Sequence, residues 1–146
     1  MPTKLLYIDA DYQSLDTRES AEKRRKWLED TGYNASSCPS LKDMPISQAQ
    51  SFAIIVINLG QNGKENCLRD EVKKADFSKL KGRVILTSSD KKDKKLARKK
   101  QSQKDAVEFK LLHQLAQEAK TPDPDAEPKD RPRYGNVRSR ILNQLH

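Results

Sequence analysis

The feature that most constrains this chain is the run Phe52-Ala53-Ile54-Ile55-Val56-Ile57, apolar at every position and of strand length. A strand with one wet face alternates apolar and polar residues. A strand that is apolar throughout hides both faces, as the central strand of a parallel sheet does when helices cover both sides. Two further apolar runs, within 4–8 (Lys-Leu-Leu-Tyr-Ile) and 83–87 (Arg-Val-Ile-Leu-Thr), read as buried strands of the same sheet.

The segments between these strands read as helices. Residues 18–30 hold no Gly or Pro, Ser14 or Asp16 stands where an N-cap belongs, and Gly32 ends the helix. Its expected buried stripe is Leu15, Ala21, Trp27 and Leu28. Residues 33–38 are a weak strand broken by Pro39, and 43–50 a short helix with Pro45 in its first turn. A loop spans Gly60 to Gly63, and 64–76 is a helix closed off before Gly82. Ser88-Ser89-Asp90 caps a basic helix over 91–102; a strand at 106–109 and a helix at 111–120, with Leu112, Leu115 and Ala119 on one face, complete the order. Five β-α units in succession imply a parallel sheet, because each parallel crossover needs a covering element. The expected class is therefore α/β: a flavodoxin-like, doubly wound, five-stranded parallel sheet of order 2-1-3-4-5, with any ligand at the carboxyl ends of the strands. The domain is read as 1–120. Residues 121–146 are read as a Pro-rich charged linker followed by a short helix over 136–145, with Val137, Ile141 and Leu145 on one face.

Hydrophobic residues make up 34% of the chain, and mean hydropathy is −0.94. Because the apolar residues are concentrated in runs, a small core inside a charged shell is expected rather than disorder. No apolar stretch approaches the roughly 18 residues of a spanning helix, and the N-terminus lacks a signal-peptide core. Membrane insertion is not expected, and a cytoplasmic location is. Cys38 and Cys67 stand far apart without CxxC spacing, and His113 and His146 do not complete a ligand set with them. No metal and no cofactor are expected.

Polar residues stand where the strands stop: Asp9 with Asp11, then Asn58, Thr87 and Lys110. Here residues 4–120 resemble the response-regulator receiver family, whose best-known member is CheY. Leu-Leu-Tyr-Ile-Asp-Ala-Asp (5–11) is similar to the family's first strand and acidic cluster. Trp-Leu-Glu-Asp-Thr-Gly-Tyr (27–33) looks like the end of its first helix. Ile-Ile-Val-Ile-Asn-Leu (54–59) resembles the phosphoacceptor strand, Val-Ile-Leu-Thr-Ser-Ser (84–89) the hydroxyl-bearing strand, and Val-Glu-Phe-Lys (107–110) the strand carrying the pocket lysine.

The departures from that pattern shape the expected function. Asn58 stands at the acceptor position, and an uncharged amide cannot be the acyl-phosphate nucleophile. Ala10 stands where a Mg²⁺ ligand is usual, and Leu111 follows Lys110 where the family has proline. The resemblance thus implies a degenerate pseudo-receiver: a signalling or regulatory interaction module, not an enzyme. A purely structural account of the same residues stays open. Strand-end Asp residues also cap turns, Asn58 suits a turn, and Lys110 can pair with Asp9.

Residues 91–104 carry eight Lys or Arg and one Asp, which makes them a candidate partner face: Lys91, Lys92, Lys94, Lys95, Arg98, Lys99 and Lys100. With a net charge of +8, an acidic protein partner is the leading expectation and nucleic acid the alternative. No aromatic residue interleaves with the cluster, so base stacking is not indicated. A solvated face is the plainest reading. A further alternative is a PIN/NYN-like nuclease, with Asp9, Asp11, Asp90 and Glu108 around a metal; against it, Asp90 leads into lysines that would compete with the ion.

Overall fold

The computed structural model describes residues 3–44, 49–60 and 68–120. Strand β1 (Lys4–Asp9) leads through a 3-10 turn (Ala10–Gln13) into α1 (Arg18–Asp30), then β2 (Asn34–Cys38) and β3 (Ile54–Asn58). After these come α2 (Arg69–Lys74), β4 (Arg83–Ser88), α3 (Lys94–Lys100), β5 (Val107–Leu111) and α4 (Leu112–Lys120). All four strand pairings are parallel and the order is β2-β1-β3-β4-β5. This is the flavodoxin-like arrangement of CheY-like domains, as the sequence implied.

The all-apolar strand does what its composition demands. Ile54 and Val56 face one layer, Ile55 and Ile57 the other, and none is more than 4% exposed. Burying each such side chain stabilises by about 1.5–3 kcal/mol. One layer is built on α1 and α4, where Ala21, Leu28 and Leu115 meet Leu5, Tyr7, Val56 and Ile85. The other is built on α2 and α3, where Val72, Leu96 and Ala97 meet Ile8, Ile57 and Leu86. Gly82 lets the chain enter β4 closely, since a Cβ there would lie 2.4 Å from the Ala53 carbonyl oxygen.

Several boundaries differ from expectation. Leu15 is 80% exposed and not part of the buried stripe. It lies in the turn ahead of α1, so the helical phase does not extend back to it. Thr17 holds the N-cap position without a side-chain cap, and the Ser14 carbonyl, not its hydroxyl, receives the Thr17 and Arg18 N–H groups. Gly32 closes α1 at φ 114, with its N–H on Glu29 and that of Tyr33 on Leu28. The helix expected over 64–76 is formed only at Arg69–Lys74 within the described residues. Ala75 leaves it in an extended conformation, and a 3-10 turn at Phe77–Lys79, capped by Asp76, follows. The basic helix begins as a 3-10 turn (Lys91–Asp93) capped by the Asp90 carboxylate on Lys92 N–H, and its α-helical part ends at Lys100. Cys67, residues 45–48 of the expected 43–50 helix, the 61–63 loop and everything from 121 onward, including the 136–145 helix, lie outside the described residues. Among the described residues no helix is long and apolar enough to cross a membrane.

Candidate functional site

Parallel register turns the strand ends into a row. Asp9 pairs with Asn58, Asn58 with Thr87, and Thr87 with Lys110, across four neighbouring strands. Side chains alternate faces along a strand while register partners share one. All four therefore point to the face that carries α1 and α4, at the carboxyl edge of the sheet. The sequence placed these residues together, and the row is where the fold brings them.

Asp9 is the hub. Its Oδ1 accepts the Asp11 N–H at 2.9 Å. Its Oδ2 accepts three donors: the Tyr7 hydroxyl, Arg24 Nη1 at 2.8 Å and Asn58 Nδ2 at 3.1 Å. The same Arg24 nitrogen reaches Asp11 Oδ2, also at 2.8 Å. Asn58 is held in one orientation, because its Oδ1 accepts the Gly60 N–H at 2.9 Å while its Nδ2 also bonds the Tyr7 oxygen at 3.1 Å. Burial, and next the Asp9 charge, push the Tyr7 phenol well above its ordinary range, so Tyr7 stays a donor. For Arg24, burial works against the charge, but the bonds to Asp11 and Asp9 outweigh it and raise its pKa.

Lys110 does not pair with Asp9. Its Nζ lies 3.1 Å from Glu118 Oε2 on α4, and Asp9 has Arg24 as its cation instead. Between the two ion pairs, Thr87 is fully buried, and its hydroxyl has no hydrogen-bond partner among the described residues. The residues do not fit the divalent cation that a receiver-type pocket implies. Three donors crowd Asp9 Oδ2 and the Asp11 N–H occupies Oδ1, so a cation here would share oxygens already bonded and sit beside the Arg24 charge. The Asn58 carbonyl is engaged by Gly60. Among the described residues no group of three acidic, His or Cys side chains is placed to hold a metal. The four carboxylates of the nuclease alternative do not gather: Asp90 caps its own turn and Glu108 pairs with Arg83.

Sequence reasoning missed Arg24 and Tyr7. The signal for Arg24 was present, since it falls three residues after Ala21 and four before Leu28, on the buried stripe of α1. Helical side chains lean toward the helix N-terminus, which for α1 is the carboxyl edge of the sheet, so Arg24 reaches back to the strand-end carboxylates. A second polar cluster, also unforeseen, lies over the α2–α3 layer. Arg69 grips Asp93 at 2.8 and 2.6 Å, Ser88 donates to Asp93 at 2.6 Å, and Arg69 donates to the Gly60 carbonyl at 3.1 Å. It ties the exit of β3 to the approach to α3. Burial opposes the Asp93 charge, but Arg69 and Ser88 overcome it and hold its pKa below the usual carboxylate range.

On the basic segment, Lys91, Lys92, Lys94, Lys95, Arg98 and Lys99 are exposed, while Leu96 and Ala97 turn inward. None of the six is in an ion pair among the described residues. Lys100 is a correction to the candidate face. It is 4% exposed, and its Nζ donates to the Lys73 and Ala75 carbonyls at the end of α2 and lies 5.2 Å from the Phe77 ring.

The strand order, the parallel register and the polar row at the carboxyl edge define the class: a doubly wound α/β domain with the CheY-like fold. No family model and no curated protein sequence matches the chain. Solved structures similar to it include two response-regulator proteins. A CheY-like response regulator receiver domain from Methylobacillus flagellatus shares 18% identity at a TM-score of 0.49, with 100% of both chains covered. A response regulator protein from Burkholderia multivorans shares 12% identity at a TM-score of 0.41, covering 99% of this chain and 95% of that one. The fold assignment rests on the topology of this chain, not on those likenesses.

Proposed function

We propose that this chain is a receiver-fold interaction module that works without aspartyl phosphorylation and without catalysis, and that the exposed cations of the 91–99 segment receive an acidic protein partner. The observation that carries the reading is Asn58. It stands at the acceptor position of the strand row, its amide nitrogen turned to Asp9 and Tyr7 and its carbonyl locked on Gly60 N–H. A side chain so held has neither the charge nor the free oxygen for attack on a phosphodonor. With no switch at the row, the face must be competent as it stands. Lys94, Lys95, Arg98 and Lys99 are exposed and not in ion pairs among the described residues. Such charges attract and steer a partner over about 8 Å at physiological salt.

The test is capture of partners from native extract by wild type and by a variant with Lys94, Lys95, Arg98 and Lys99 all changed to Gln, each with and without acetyl phosphate and Mg²⁺. Wild type is expected to capture its partner equally with and without the phosphodonor, and the variant to lose it while melting normally. Unchanged capture by the variant would show a merely solvated face. Capture that needs the phosphodonor would overturn the phosphorylation-independent reading. Loss of duplex DNA alone would move the partner class to nucleic acid.

A further inference from the structure

We infer that Arg24 is a built-in counter-cation: its guanidinium takes the place between Asp9 and Asp11 that a divalent ion would need, and its removal would turn the pair into a divalent-cation site. This rests on the non-phosphorylating reading of the same pocket, but it concerns which cation the carboxylates hold and is tested by a different readout.

The geometry points to substitution, not to a chance surface contact. A single nitrogen, Arg24 Nη1, lies 2.8 Å from Oδ2 of both Asp9 and Asp11, bridging the two as one ion would. The side chain of Asp9 is only 4% exposed and that of Arg24 22%, so the attraction is little diluted by water. Mg²⁺ binds oxygen at about 2.0–2.1 Å and Ca²⁺ at about 2.3–2.6 Å. Either would have to share the two carboxylates with the guanidinium that now bridges their Oδ2 atoms, and would sit beside a fixed positive charge. The guanidinium is permanently charged, so no pH in the ordinary range vacates the place. Two carboxylates and one guanidinium leave a single negative charge. Without Arg24 the pair would carry two, matching a divalent ion, and Asp11, which is part-exposed, would leave room for the waters such an ion keeps.

The experiment is a Mn²⁺ titration followed by relaxation of water protons and by thermal melting, on the full chain. It compares wild type, Arg24→Met, Arg24→Lys, and Arg24→Met combined with Asp11→Asn. Removing a unit charge about 4 Å from a divalent ion, even at the dielectric of water, raises the affinity by about thirty-fold. Arg24→Met is therefore expected to bind one Mn²⁺ at least that much more tightly than wild type and to melt higher when Mn²⁺ is added. Arg24→Lys should refuse the ion as wild type does, and Asp11→Asn should abolish the gain. If Arg24→Met is unfolded alone, recovery of a cooperative transition on adding Mn²⁺ is the supporting result. Wild type binding as tightly as Arg24→Met, or no Mn²⁺ effect on Arg24→Met whether folded or not, would overturn the inference. Neither result depends on the partner face, so the two proposals fail separately.

Discussion

Lys100→Met separates the structural lysine from the exposed ones beside it. The variant keeps an unbranched apolar stem but loses the ammonium that bonds the Lys73 and Ala75 carbonyls beneath the Phe77 ring. Those carbonyls close α2, where backbone acceptors lack helical partners. A hydrogen bond from a charged group contributes about 1.5–3 kcal/mol, and a buried acceptor left bare costs about 1–3 kcal/mol. Relief from burying the ammonium offsets part of this; that burial cost is what pushes the Lys100 pKa down. The net expected loss is about 2 kcal/mol, or about 8 °C at roughly 4 °C per kcal/mol for a domain of this size. Lys99→Met, at an exposed neighbour, should stay within about 0.5 kcal/mol. Urea and thermal denaturation of both variants measure the contrast. The sign of the pH dependence is a second check. A lysine whose folded pKa is depressed binds fewer protons folded than unfolded, so wild-type stability should gain as pH rises from that depressed value toward about 10.4, and Lys100→Met should lack the gain. Equal, small effects of both substitutions would refute the argument and return Lys100 to the solvated face.

Thr87→Val should raise stability by about 1 kcal/mol, because it removes a buried hydroxyl that has no partner among the described residues and keeps the shape; a loss of that size in urea denaturation would show that the hydroxyl is bonded. The depressed Asp93 pKa means that its contribution is complete above about 3.9 and lost as pH falls through the lower folded value. Asp93→Asn should flatten that part of the acid-unfolding curve followed by circular dichroism. It should also cost about 3 kcal/mol at neutral pH by removing the carboxylate charge that Arg69 grips at 2.6 Å, and an acid profile identical to wild type would contradict this.

Much of this was legible in the sequence because it depends on local pattern. A run that is apolar at every position is a central strand, and alternating elements leave few topologies. The row of Asp9, Asn58, Thr87 and Lys110 follows from strand ends aligned by parallel register. What was not legible depends on how far long side chains reach and from which helix. Arg24, and not Lys110, neutralises Asp9 because α1 turns its apolar stripe, cation included, onto the sheet, while α4 offers Glu118 to Lys110. Lys100 reads as one more charge in a basic run until the end of α2 is found beneath it. Leu15 falls outside the buried stripe because the residues ahead of α1 form a turn that breaks the helical phase. Arg69 and Asp93, 24 residues apart, meet only once both connections over the sheet edge are in place.

The central claim is that the strand row cannot accept a phosphoryl group, and intact mass after incubation with acetyl phosphate and Mg²⁺ tests it most directly. Wild type is expected to keep its mass. Asn58→Asp should gain little, because Ala10 supplies no metal ligand and Arg24 still holds Asp9 and Asp11. A stoichiometric adduct of one phosphoryl group on the wild-type chain would contradict the account.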